Sequence, residues 1–323
     1  MNKLVSRDIL LFVLFIVLLI IVQVFRSRSP FGRNQTSFAL ESAKEITKIE
    51  LSEGDQKVLL EREGGEWKVN GRYEVRKSAI TFITGILREM KIKSPVSPDL
   101  FKTEITEKET TPVKVRIFEG RRLLKLFYVY KTTSNKYGNI MKMREKSKPF
   151  IVCLPGFEGD IGSGFIANEL FWRPFTVFAL LPSEISSISF ENSVNPASSF
   201  KISSADGKYT LSDTKVNLTG WDTSRVKRYV SYFVNVQFES WASDMPETER
   251  ERANSAGPLY IISVTKSDGE VINLSLWERH IPGSAVKDSD RMWGRTDKTD
   301  DFFVMRYFDA DPIIKERSYF FAQ

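Results

Sequence analysis

The sequence predicts an α+β protein, with an N-terminal transmembrane helix followed by two tandem repeats of antiparallel β-hairpins, each carrying a packed amphipathic helix. Three observations predict it. An unbroken apolar run opens the chain, period-two alternation recurs through the remainder, and two helical stripes of identical spacing stand 146 residues apart.

The apolar run covers Ile9 to Val22, and Val24 and Phe25 extend it beyond Gln23. Its 17 positions to Phe25 approach the lower limit for crossing a hydrocarbon core of about 30 Å. It lacks the polar stripe of a core helix. A cleavable leader needs small residues at the cut, whereas this run ends in Gln-Val-Phe-Arg-Ser-Arg, and no cysteine follows for lipidation. An uncleaved single-pass anchor over 1–25 is therefore expected, with its lipid as partner and a short polar tether over 26–43.

Composition narrows the rest. Hydrophobic residues make up 41% and charged residues 27%, as in a folded protein. The net charge of +6 is concentrated at the start, because residues 1–33 hold five basic side chains against one acid. Basicity at a membrane flank meets anionic headgroups, and a nucleic-acid partner is not expected. The densest downstream cluster, Lys136, Lys142, Arg144, Lys146 and Lys148, is diluted by Glu145 and reads as a solvated loop. One cysteine allows no intramolecular disulfide and no CxxC metal site.

Comparing the chain with itself places the repeats at 44–182 and 183–323. Ile46-Thr-Lys-Ile-Glu-Leu alternates like Ile185-Ser-Ser-Ile-Ser-Phe. A hairpin follows each, turning at Gly64-Gly65 and at Asp206-Gly207, dipeptides suited to the left-handed φ of tight turns. A helix comes next. Ile80, Ile83, Leu87 and Met90 form one stripe, and Val226, Tyr229, Phe233 and Val236 repeat its spacing, with Asp222 or Thr223 as N-cap. Val113, Val115 and Ile117 then alternate towards Glu119-Gly120, as Tyr260, Ile262 and Val264 do towards Asp268-Gly269. Further strands at Phe150-Ile-Val-Cys and Phe302-Phe-Val-Met precede closing aromatic segments, Phe171-Trp-Arg-Pro-Phe and Glu316-Arg-Ser-Tyr-Phe. The stretches 95–112 and 244–258 read as exposed connectors.

The run from Ile46 through Val58-Leu-Leu-Glu-Arg-Glu-Gly-Gly-Glu-Trp-Lys-Val-Asn-Gly to Lys91-Ile-Lys-Ser-Pro-Val-Ser resembles the bacterial envelope family known as domain of unknown function 4340. The resemblance covers most of 44–323 and is strongest over 46–97. It implies an anchored tandem-repeat protein of the bacterial inner membrane with its C-terminal part outside the cytoplasm. It also implies an accessory role beside ABC-type transport components. The charges flanking the run are nearly balanced and set no orientation. The second turn departs from the pattern, with Lys208-Tyr209 in place of Glu66-Trp67.

Chemistry-bearing residues are sparse. His280, the single histidine, sits in Trp-Glu-Arg-His-Ile-Pro-Gly and reads as an exposed loop residue. One histidine cannot make an HExxH zinc site, and a Ser-His-Asp triad would have to use it. Cys153 lies in an apolar strand, away from the electropositive setting a reactive thiolate needs. Gly159-Asp-Ile-Gly-Ser-Gly164 lacks the lysine of a phosphate-binding loop. Asp288, Asp290, Asp297, Asp300 and Asp301 match no calcium-loop spacing. Trp67, Trp221, Trp241, Trp277 and Trp293 read first as core and second as a groove lining. No catalytic, cofactor or metal residues are assigned. The expected function is a non-catalytic, membrane-anchored module that binds another envelope protein. The alternative is a tethered receptor for a glycan or small ligand held between the repeats. A carboxylate-only hydrolase would need a facing pair of acids that no motif supplies.

Overall fold

The computed structural model describes residues 14–18, 36–41, 43–132, 138–205, 207–213, 216–281 and 283–321. The chain divides between Arg173 and Pro174 into two compact units, Met1–Arg173 and Pro174–Gln323. The expected division at 182/183 leaves Phe178 and Leu180 on the first repeat, yet both are buried in the core of the second unit.

The expected α+β class is corrected by the structure. The described residues are mostly antiparallel β-sheet, with 19 strands in three sheets and helices of no more than 13 residues. Stripe spacing marked buried positions correctly, all eight being buried, but overstated the helical share, since Met90 and Val236 fall outside the helices. The predicted anchor lies mostly outside the described residues; 14–18 are helical and exposed. No described helix is long and apolar enough to cross a membrane.

The first unit has nine strands: β1 (Lys48–Glu53), β2 (Gln56–Glu63), β3 (Glu66–Val69), β4 (Tyr73–Glu74), β5 (Lys91–Pro95), β6 (Val113–Glu119), β7 (Arg122–Tyr130), β8 (Asn139–Lys142) and β9 (Phe150–Cys153). They run in the order β4-β3-β2-β1-β6-β7-β8-β9-β5. Alternation puts Ile49, Leu51, Val58, Leu60, Val115, Ile117, Phe127 and Val129 on one face, all nearly inaccessible. Helix α1 (Lys77–Glu89) covers that face with Ile80, Ile83, Ile86 and Leu87. Removing each such side chain from water is worth about 1.5–3 kcal/mol. Gly64 and Gly65 take positive φ (58° and 95°) to close the β2–β3 turn, as their sequence indicates.

The second unit has β10 (Thr176–Phe178), β11 (Ile185–Asn192), β12 (Phe200–Ala205), β13 (Lys208–Ser212), β14 (Val236–Gln237), β15 (Ser240–Trp241), β16 (Tyr260–Lys266), β17 (Val271–His280), β18 (Lys287–Thr296) and β19 (Phe303–Arg306). Strands β10 and β14 pair apart from the main sheet, whose order is β13-β12-β11-β16-β17-β18-β19-β15. This order matches β3-β2-β1-β6-β7-β8-β9-β5 position by position. Between β13 and β14 lies the helical segment Thr223–Ser231, continued by a 3₁₀ turn, Tyr232–Val234. The four stripe residues Val226, Tyr229, Phe233 and Val236 are buried, although the last belongs to β14. Asp222 caps the helix, its carboxylate accepting the Ser224 N–H at 2.7 Å. Asp206 of the expected second turn lies outside the described residues, and its neighbour Gly207 has φ 72°.

The opposite sheet faces carry smaller cores, and here both expected connectors are corrected. The stretch 95–112 contains α2 (Pro98–Phe101) and a π-helical turn, Lys102–Thr106, while 244–258 contains Glu247–Ala256, a ten-residue helix. Numbered in chain order after α2, the helices are α3 (Glu169–Trp172), α4 (Thr223–Ser231), α5 (Glu247–Ala256) and α6 (Tyr307–Ala310). Val96 and Ile105 pack against the cross-strand pair Tyr130–Ile140 in the first unit. Met245 and Ala253 pack against the pair Trp277–Trp293 in the second. Both segments are largely polar, so an outward-facing charged side disguised a narrow buried one.

Glycine supports two separate expectations. On β18, Gly294 faces Phe303, and a Cβ built there would overlap the phenyl ring. That ring stacks on Phe238 with centroids 4.2 Å apart. Gly294→Ala is expected to cost about 1–3 kcal/mol by overpacking. Gly85, within α1, has open space around its Cβ position, and Gly85→Ala is expected to gain about 0.5–1 kcal/mol. Urea denaturation of both variants checks the opposite signs.

Candidate functional site

The residues with the densest polar chemistry converge in the second unit, where α5, the end of β17 and the start of β18 meet. Period two places Trp277 and Arg279 on one side of β17 and Glu278 and His280 on the other. A register shift between Glu278 and His280 then opens the hairpin and turns the strand end towards α5. The resulting cleft has a volume of about 300 Å³. Its walls include Glu249 of α5, Arg279 and His280 of β17, Arg291 and Trp293 of β18, and Asp244 on the preceding loop.

Glu249 organises the floor. Only 11% of its side chain is exposed. Its Oε2 accepts the Trp293 indole N–H at 3.1 Å and the His280 backbone N–H at 3.4 Å, and Oε1 pairs with Arg252. Burial by itself pushes this carboxyl upward. The indole donor, the backbone donor and the neighbouring Arg252 and His280 together outweigh burial and hold it below the usual glutamate value. Asp288 behaves alike: burial raises it, but the Asp290 and Arg291 backbone N–H groups and the Arg279 guanidinium lower it further. At the rim, Arg291 holds Glu239 through Nε at 2.7 Å and Nη2 at 3.1 Å, a two-pronged bond that depresses the Glu239 carboxyl.

Three buried nitrogens here remain unmatched: Arg279 Nε, His280 Nδ1 and the Trp277 indole nitrogen. Arg279 lies with its guanidinium 4.8 Å from the Trp293 ring centre and pairs with Asp288, yet its buried Nε has no hydrogen-bond partner. His280 Nδ1 is likewise buried and unpartnered, 3.6 Å from Glu249 Oε2 and so beyond bonding reach. Its Nε2 stands 3.4 Å from Glu278 Oε1. Buried polar atoms without partners are uncommon in folded proteins, and these lie behind the cleft wall, not on its open surface.

This site draws together residues that the sequence presents separately. His280 ends β17, at the strand end its sequence context indicates, but is largely buried and not the exposed loop residue expected. Trp277 and Trp293 are buried beside it, and Asp288 joins through Arg279. Asp297 instead accepts from Asn273, and Asp301 from Thr299, so the aspartates do not form one cluster. Trp67, Trp221 and Trp241 pack partly buried against the large cores. Cys153 is partly accessible on β9. The glycine stretch 159–164 is structural: Asn139 and Asp160 accept the Gly162 N–H, and a Cβ at Gly164 would crowd Ile86 and Phe82 of α1. Among the described residues, no group of three or more His, Cys, Asp or Glu side chains could hold a metal ion.

Glu249, Arg279 and Arg291 were missed from sequence because each sits in an ordinary charged run. The available signal was the alternation Trp277-Glu-Arg-His, which sets an arginine on the side of a buried tryptophan. Comparison with protein-family models, curated proteins and solved structures found no match.

The depressed carboxyl of Glu249 fixes the sign of a pH effect. Its charged form stabilises the fold above the ordinary glutamate value, and the contribution is lost as pH falls through the lowered one. Glu249→Gln is therefore expected to lower the unfolding free energy by about 1–3 kcal/mol at neutral pH, and by progressively less on acidification. Urea midpoints across an acid series, followed by tryptophan fluorescence, measure this difference.

Proposed function

We propose that this protein is a non-catalytic accessory protein of a bacterial envelope, attached to the bilayer by its apolar run and presenting the second unit's cleft to another protein. The observation that carries the reading is the cleft itself. An arginine stacked on a tryptophan, with Nε unmatched, stands beside a histidine with Nδ1 unmatched, behind carboxylates that are already engaged. Arginine and tryptophan are enriched among residues that dominate protein–protein contacts, and Arg279, Arg291 and Trp293 line this cleft together.

The bilayer attachment rests on sequence, through the uninterrupted apolarity of residues 9–22 and the basic residues that flank it. The partner class, components of an ABC-type transport system, rests on the family resemblance. The same resemblance is what supports a folded part outside the cytoplasm. Binding through a preformed cleft requires little rearrangement of the sheet, which suits a scaffold that positions a partner.

The test uses full-length protein extracted in detergent from its own membranes, with Asp244→Trp as comparison. Asp244 is exposed at the cleft mouth and makes no ion pair among the described residues, so a tryptophan there obstructs the mouth and spares the Glu249 network. Permease or ATPase subunits are expected to co-purify with the wild-type chain and to fall about tenfold in the variant, a change of ~1.4 kcal/mol. Equal recovery with both chains, or recovery of no transport subunit, contradicts the reading.

A further inference from the structure

We propose that a groove on the first unit, between the first half of β7 and the 143–146 segment, docks onto anionic lipid headgroups of the membrane that holds the chain. The inference rests on the bilayer attachment proposed above and adds a second, electrostatic contact to it.

The groove exists because β7 outruns its neighbour. Strand β8 pairs only with Tyr128, Val129 and Tyr130, so residues 122–127 are open on that side. The opening has a volume of about 920 Å³ and is lined by Leu123, Lys125, Leu126, Met143, Arg144 and Lys146, with Ser37 at one wall. Lys125 spans the floor, its Nζ donating to the Ser37 carbonyl at 2.6 Å and to Ser37 Oγ at 2.8 Å. Burial pushes this ammonium down, opposed by Glu41 nearby, so the site already favours a further negative charge.

The rim is positively charged and unsatisfied. Arg121 and Arg122 lie beside Leu123 at the hairpin tip, and Arg144 and Lys146 lie across the groove; all four are exposed and have no side-chain partner among the described residues. Leu123 is 45% exposed between them. The acids nearby are Glu41, Glu119, which stands opposite Arg122 in the β6–β7 register and accepts the Glu45 N–H, and Glu145, which accepts the Tyr128 hydroxyl at 3.2 Å. Cations around an exposed leucine match a headgroup layer, where aliphatic stems and the leucine meet the acyl boundary and the charges meet phosphates.

Chain length favours lipid over an acidic protein. Ser37 follows the last apolar residue, Phe25, by 12 residues, which span about 40 Å when fully extended. The tether therefore keeps this surface within about 40 Å of the bilayer, and because headgroup attraction fades beyond a Debye length of about 8–10 Å, the contact proposed is a direct one.

The test compares backbone hydrogen exchange of the full-length chain in nanodiscs of phosphatidylcholine and of a one-to-one mixture with phosphatidylglycerol. Segments 121–126 and 143–147 are expected to exchange about tenfold more slowly in the anionic discs. High salt and the double variant Arg144→Glu, Lys146→Glu are expected to erase that difference. Equal rates in both discs, with the protein retained after an alkaline wash, overturn the lipid contact and leave the attachment standing. Loss of the chain from both discs on washing overturns the attachment and the lipid contact together. Equal slowing by inorganic phosphate in neutral discs also overturns the proposal, because it assigns the groove to a free anion.

Discussion

Each unit has one strongly apolar sheet face, and a single helix must be held against it. Neither helix is long enough to persist alone, since isolated helices shorter than about 12–15 residues are marginal in water. In the first unit the Arg76 N–H, at the start of α1, donates to the Trp172 carbonyl at 2.7 Å, and the Leu40 N–H donates to the Leu87 carbonyl at 2.8 Å. In the second, the Asp222 N–H donates to Phe320 at 2.8 Å and the Leu180 N–H to Phe233 at 3.0 Å. Segments entering and leaving each sheet thus strap both ends of its helix. Side chains reinforce the later strap, with Arg76 bonding the Phe171 carbonyl and Arg225 bonding those of Tyr319 and Phe321.

Those straps show what the sequence disclosed. The paired stripes, the hairpin turns and the closing aromatic segments were legible because burial imposes period and turns impose glycine. Phe38-Ala39-Leu40 and Phe178-Ala179-Leu180 were equally available as a repeated tripeptide, yet they stand outside the strand pattern and mark no period. Their role lies in backbone hydrogen bonds and in Phe38 and Phe178, both 1% exposed, which no alternation encodes. The class was misread for a related reason. Strands of two to four residues, such as β4, β14 and β15, are too short to display alternation but extend the sheets in the structure.

The second faces carry the functional argument. A helix of polar composition such as α5 buries little, with Ala253 its one buried residue, and so leaves room at its margin. Into that margin β17 delivers an arginine and a histidine that the fold partly satisfies. The sequence showed the histidine but not its company, because Glu249 is separated from His280 by 31 residues and reaches it only when α5 lies on the sheet. The Trp277 indole, inside the packed cluster, is unmatched as well, so these nitrogens record packing that leaves polar groups incompletely satisfied.

Photocrosslinking in living cells reports whether the cleft meets a partner, with a photoreactive residue placed at Asp244 beside the cleft or at Val271, an exposed position on the same unit. One dominant adduct is expected from Asp244 to a membrane transport subunit, and none from Val271. The same adducts from both positions, or none from Asp244, would contradict the proposed partner contact.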